Sequence, residues 1–162
     1  MSTSVTSSAT STLTTPTERE IRVERIFVAP RDIVWRAYTQ PELLRQWWGR
    51  GNRVDIERIE AERGGHWRCV EHHDGSSDGF EGRYREVTPR ERIVQTFEWD
   101  GMPGYVSINT TEFIDLGDGR TKIVGTVLFF TPEERDGMLQ AGMQQGLDQS
   151  YAHLDTLLGT LG

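Results

Sequence analysis

One cysteine stands in 162 residues, so the chain cannot close a disulfide on itself and nothing calls for an oxidising compartment. Long apolar runs are missing as well. No stretch approaches the roughly 18 consecutive apolar residues that a membrane span needs. Positive charge is in short supply, with 18 Lys+Arg against 25 Asp+Glu and a net charge of −7. That balance excludes a backbone-driven nucleic-acid binder, which needs a clustered basic face, and it works against docking on anionic lipid. Cofactor and nucleophile fingerprints are absent too. There is no P-loop, no Gly-x-Ser-x-Gly elbow and no dinucleotide motif, and Gly49-x-Gly51 lacks the third glycine such a motif needs. The chain reads as a small soluble cytoplasmic domain that uses no cofactor.

What is present falls into two parts. Met1 to Thr17 holds twelve Ser or Thr and no charge. It has neither the basic start nor the apolar middle of a secretory signal. Too little can be buried there to offset the ordering entropy, so residues 1–17 read as a disordered tail ahead of one domain over 18–162.

Within the domain, Arg22 to Val28 is rich in strand formers, and Ala29-Pro30 ends that strand. Ile33, Val34, Ala37 and Tyr38 give a short helical face. Thr39-Gln40-Pro41-Glu42 has the spacing of a capping box and starts a second short helix carrying Leu43, Leu44, Trp47 and Trp48. A meander follows, with strands expected near 53–61, 65–73, 80–88, 91–99, 105–116 and 120–130. Gly64-Gly65, Asp74-Gly75, Asp100-Gly101 and Gly117-Asp118-Gly119 supply the tight reversals between them. Thr131-Pro132-Glu133-Glu134 then starts a helix on which Leu139, Met143, Leu147, Leu154, Leu158 and Leu161 recur at helical spacing. About 28 residues at 1.5 Å each would make one rod of roughly 42 Å. The expected fold is α+β: a helix-grip, with a seven-stranded curved antiparallel sheet wrapped around a long C-terminal helix and two short helices after the first strand.

Phe27-x-Ala29-Pro30, Thr39-x-Pro41-Glu42-x-x-x-x-Trp47-Trp48-Gly49, Gly64-Gly65 and Arg92-Ile93-Val94-x-Thr96-Phe97-Glu98 resemble the START-like superfamily. More narrowly, they resemble proteins similar to the C-terminal domain of the activator of heat-shock-protein ATPase. The resemblance covers about residues 19–160. It implies a ligand-sized cavity between sheet and helix, allows a homodimer, and does not imply one chemistry. It also places the odd-numbered positions of Asn109-x-Thr111-x-Phe113 and Ile123-x-Gly125-x-Val127-x-Phe129 on the helix side of the sheet.

Candidate chemistry is sparse. His66-Trp67-Arg68-Cys69-Val70-Glu71-His72-His73 is the densest polar run, but on a strand His66 and His72 share one face while Cys69, Glu71 and His73 share the other. His66 and His72 are also roughly 20 Å apart along that strand, so no metal is expected. Cys69 reads as a small buried hydrophobe rather than a nucleophile. By strand parity Arg25 and Glu71 are internal polar groups and candidates for pairing with each other. Asn109 and Thr111 need partners inside an apolar interior, either each other, a water, or a ligand. Gly137, Gly142 and Gly146 each cost about 1 kcal/mol in a helix, which a close approach to the sheet or a kink would explain.

The first functional reading is a non-catalytic protein that binds a small hydrophobic or amphipathic molecule. Its expected walls are Trp67, Cys69, Glu71, Tyr84, Phe97, Asn109, Thr111, Phe113, Phe129, Met138, Gly142 and Met143, with no catalytic residue among them. The second is a cyclase, dehydratase or hydrolase working in the same cavity, for which His66, Glu71 and Tyr84 are the available acid–base groups. The third is a co-chaperone-like ATPase activator, ranked last because the chain shows no sign of the additional N-terminal domain such activators carry.

Overall fold

The computed structural model describes residues 11–161. Twelve elements follow one another: β1 (Thr12–Thr14), β2 (Glu20–Phe27), α1 (Arg31–Thr39), α2 (Pro41–Trp47), β3 (Arg53–Ile59), β4 (His66–His73), β5 (Ser76–Thr88), β6 (Arg92–Trp99), β7 (Val106–Gly117), β8 (Arg120–Leu128), α3 (Pro132–Gln140) and α4 (Met143–Leu161). The strands form one antiparallel sheet in the order β1-β2-β8-β7-β6-β5-β4-β3. Every neighbour except the β2–β8 pair is also a neighbour in sequence, as a meander requires.

Alternation decides which face is buried. On β2, Ile21, Val23, Arg25 and Phe27 are buried while the residues between them are not. Register carries that face across the sheet: Ile21 lies opposite Val127, and Val127 opposite Asn109. Asn109 lies opposite Gln95, and Gln95 opposite Tyr84. The helices cover this concave face. Tyr151, Leu154, Leu157 and Leu158 of α4 are buried in the core, together with Val34 and Ala37 of α1 and Trp47 of α2. Phe27 meets Tyr151 edge-on at 5.2 Å, and Trp35 and Tyr38 flank Phe113 at 5.1 and 5.0 Å.

Three expectations are corrected. The sheet has eight strands rather than seven, because Thr12–Thr14 of the Ser/Thr-rich segment pairs with β2, Leu13 opposite Val23. Ser11 is buried there: its N–H and Oγ both donate to Asp148 Oδ1, at 2.9 and 2.8 Å, and its carbonyl accepts from Gln144 Nε2 at 2.8 Å. A free strand edge and two polar helix side chains hold what composition alone left without structure. The remainder of the expected tail, residues 1–10, lies outside the described residues.

The C-terminal rod is two helices. Gly142 takes φ +82°, the left-handed conformation of a helix terminus, and α4 restarts at Met143. α3 consequently buries none of its residues. At its start the expected cap is present: Thr131 Oγ1 accepts from the Glu134 N–H at 3.2 Å. The capping box at Thr39 is not. Thr39 Oγ1 donates back to the Trp35 carbonyl at 2.9 Å, and Gln40 is the residue at the cap of α2.

Candidate functional site

Concave-facing residues on central strands of an eight-stranded sheet are expected to be sealed by whatever packs above them. Several here are not. Gln95, Phe97, Asn109, Thr111 and Val127 are only half-buried, although Tyr84, Ile93, Phe113 and Ile123 on the same face are fully buried. The helices account for the difference. α4 packs on the sheet through its C-terminal half, whereas the chain breaks at Gly142, so that Leu139 of α3 and Met143 at the start of α4 are only partly buried neighbours.

The aromatic side chains of this face form a run. Trp48 meets Phe80 edge-on at 5.4 Å, Phe80 meets Phe97 at 5.4 Å, and Phe97 meets Trp67 at 5.7 Å. Trp67 and Phe97 lie on either side of Gly82, and Trp67 Nε1 donates to the Thr96 carbonyl at 3.1 Å, which fixes the indole. Of the adjacent pair of tryptophans, Trp47 is buried and donates to the Ala37 carbonyl at 2.9 Å, while Trp48 is half-buried at the end of the run. Two neighbouring helix positions point about 100° apart, so one indole goes to the core and the other to this wall.

Two buried ionic groups, Arg25 and Glu71, bound the interior, and they do not pair with each other as parity had allowed. Arg25 reaches Asp155 on α4 at 2.6 Å and lies over the rings of Phe27 and Tyr151, at 5.1 and 5.5 Å. Glu71 is 3% exposed, and its Oε2 accepts from Arg50 Nη2 at 2.9 Å, Arg50 Nε at 3.1 Å and Asn52 Nδ2 at 2.7 Å. Arg50 is the functional-site residue that the sequence reading missed. Gly49, Arg50 and Gly51 all take positive φ, at 105°, 59° and 86°, which turns the loop after α2 inward over β4. The Arg50 N–H donates to Ser150 Oγ at 3.0 Å, so the same loop is tied to α4. The available signal was a glycine on each side of one arginine, directly before a strand.

The twelve expected wall residues divide three ways. Trp67, Cys69, Glu71, Tyr84, Phe113 and Phe129 are buried on the concave side, while Phe97, Asn109, Thr111 and Met143 are half-buried there. Met138 and Gly142 are not brought to it. Met138 is 38% exposed and lies outside the core cluster, and Gly142 forms the bend with open space where a Cβ would stand. Two open depressions mark the surface elsewhere, one over Gln144, Gln145, Asp148, Gln149 and Ala152, the other around the Asp74-Gly75 turn. Neither is lined by any of the twelve.

The three expected acid–base groups, His66, Glu71 and Tyr84, are not brought together. His66 faces the convex side, 3.5 Å from Glu81 and 3.1 Å from Arg58 Nη1, while Glu71 faces the interior. His72 and His73 are occupied by their own carboxylates, Asp55 at 2.8 Å and Asp78 at 2.6 Å. Among the described residues, no three metal-ligating side chains come together.

Burial pushes the Cys69 thiol up to about 12 and raises the Tyr84 hydroxyl as well, so both stay protonated near neutrality. An ordinary thiol titrates at about 8.5. Native Cys69 is therefore expected to react with a disulfide reagent at pH 8 on the order of a thousand times more slowly than in the denatured chain. Comparing the two rates checks the point, and equal rates would show that the thiol is neither buried nor protonated.

A family model described as activator of Hsp90 ATPase homolog 1-like protein matches residues 28–159, from the end of β2 through nearly all of α4. The chain belongs to that family. Solved structures agree on a START-like fold. A Rhodobacter sphaeroides protein superposes with a TM-score of 0.86 at 26% identity, over 94% of this chain and 99% of that one. A Chromobacterium violaceum protein gives 0.72 at 27% identity, over 85% and 96%. A Mycobacterium smegmatis protein gives 0.82 at 18% identity, over 94% and 99%, a likeness of fold alone. No curated protein matches the sequence. Membership in the activator of Hsp90 ATPase homolog 1-like family fixes the architecture and assigns neither a ligand nor a reaction. No helix among the described residues is long and apolar enough to cross a membrane.

Proposed function

We propose that this member of the family binds one small hydrophobic or amphipathic molecule between the concave face and α3–α4, and that it does so without catalysis. The observation that carries this reading is the half-buried state of Gln95, Phe97, Asn109, Thr111 and Val127 on central strands of the same face that buries Tyr84, Ile93, Phe113 and Ile123. Small-molecule sites combine apolar walls with a few placed polar groups, and the aromatic run beside Asn109 and Thr111 has that composition. The three expected acid–base groups are not brought together, since His66 faces the convex side and Glu71 the interior, and this reading assigns none of them a proton-transfer role.

Fluorescence of the neutral probe N-phenyl-1-naphthylamine tests the reading. Titration with the intact protein is expected to give saturable enhancement, and Thr111→Trp, which fills the space above β7, is expected to weaken it on the order of tenfold or more. No enhancement with a well-folded protein, or an unchanged affinity in Thr111→Trp, would rule out this space as the site.

A further inference from the structure

The charges and the uncharged polar groups of the concave face are arranged differently, and the difference bears on what the site accepts. Each charged side chain around the interior already has an ionic or hydrogen-bonding partner among the described residues. Arg25 has Asp155 at 2.6 Å, Glu71 has Arg50 at 2.9 Å, and Asp78 has His73 at 2.6 Å. Asp78 also accepts from Trp99 Nε1 at 2.9 Å. Introducing an ionic ligand would require one of these pairs to open, and a charge left behind in a poorly solvated site is expensive.

The uncharged groups are the ones without partners. Tyr84, Gln95 and Asn109 lie directly opposite one another on β5, β6 and β7, forming one row across the concave face. The Tyr84 hydroxyl and the Gln95 amide make no hydrogen bond to any described residue, and neither has an atom sealed away from solvent. Asn109 Oδ1 accepts from Ser107 Oγ at 3.0 Å, which leaves its Nδ2 donor unused. Thr111, in the next row, makes no side-chain bond either. Tyr84 is only 5% exposed, yet its hydroxyl keeps contact with solvent and has no protein partner, which leaves it available to a ligand. Neighbouring strands set these groups about 4.8 Å apart, a spacing that suits two polar atoms on one ring system. The adjoining row supplies apolar ring surface through Phe97 and Trp67.

We infer that the site selects an uncharged molecule: a ring compound with hydroxyl or carbonyl groups on one edge, held by Tyr84, Gln95 and Asn109, and without a carboxylate, phosphate or ammonium. This rests on the proposed binding function and narrows it to a ligand class.

Calorimetric titration of the full chain at pH 7 with four probes sharing one ring system tests it: 2-naphthol, naphthalene, 2-naphthoate and 2-naphthylmethylammonium. Naphthol is expected to bind at least tenfold more tightly than either ion and severalfold more tightly than naphthalene. In Tyr84→Phe and in Asn109→Leu, each checked for an unchanged thermal transition, the ratio of naphthol to naphthalene affinity is expected to fall towards one. If one variant does not fold, the other and Gln95→Leu report the same ratio. Ion binding as tight as that of naphthol, or a ratio that none of the variants moves, overturns the inference while leaving a binding site in place. Failure of all four probes, naphthalene included, overturns both the inference and the binding function beneath it.

Discussion

Gly82→Ala is expected to lower the unfolding free energy by about 3 kcal/mol, more than a surface substitution in a strand would. A Cβ at that position would stand 1.9 Å from the Thr96 carbonyl oxygen and 2.8 Å from Trp67 Nε1. The first neighbour is backbone and cannot rotate away, so β5 and β6 must separate or the Trp67–Thr96 hydrogen bond at 3.1 Å must break. Either response moves Trp67 against Phe97. The variant should therefore lose ligand affinity along with stability. Chemical denaturation read by tryptophan fluorescence gives the stability directly. A change below about 0.5 kcal/mol would mean that the two strands have slack that their spacing does not show.

The second large effect concerns the loop that closes over Glu71. Arg50→Ala removes two of the three donors to Oε2 and leaves a buried carboxylate bonded only to Asn52. Breaking a fully buried pair from one side costs about 3–5 kcal/mol. Arg50 is itself nearly half exposed, which reduces the expectation to about 2 kcal/mol. Two companion variants separate the causes. Arg50→Ala with Glu71→Gln should be more stable than Arg50→Ala alone, because the stranded charge is gone. Arg50→Gly should exceed Arg50→Ala by about 1 kcal/mol, because glycine accepts the left-handed φ of 59° without strain. A double variant no better than the single would show that the carboxylate finds water when Arg50 leaves, and so is not buried as described.

Much of the fold could be read in the sequence because its turns are chemically explicit. Asp74-Gly75 takes positive φ at both residues, 46° and 76°, the conformation that this pair favours in a two-residue hairpin. The strands from β3 to β8 fall where such punctuation puts them. What could not be read depends on partners far away in sequence. Thr12–Thr14 becomes a strand only because β2 presents an open edge and α4 presents Asp148 and Gln144, and composition is blind to both. Three glycines raised the question of a kink in the last helix, but their cost in helix propensity is alike, about 1 kcal/mol each. Only the packed structure singles out Gly142 as the break.

The site was legible to a similar depth. The family resemblance placed Asn109, Thr111 and Phe113 on the helix side, and the strand period of two keeps the three on one face. It could not find Arg50, which a loop delivers to the site, nor show that α3 would turn Met138 outward. The partner of Glu71 is 21 positions away, and the partner of Arg25 is 130. No local pattern encodes either pairing.

Native mass spectrometry of the protein purified gently from its own host tests the central claim most directly. Additional mass of a few hundred daltons that disappears on denaturation, at one molecule per chain, is the result the account predicts. The released compound is expected to be uncharged and to carry hydroxyl or carbonyl groups, and its exact mass would identify it. A protein that carries no such mass, gains none when offered neutral ring compounds at high concentration, and still shows its folded charge-state distribution would contradict the account.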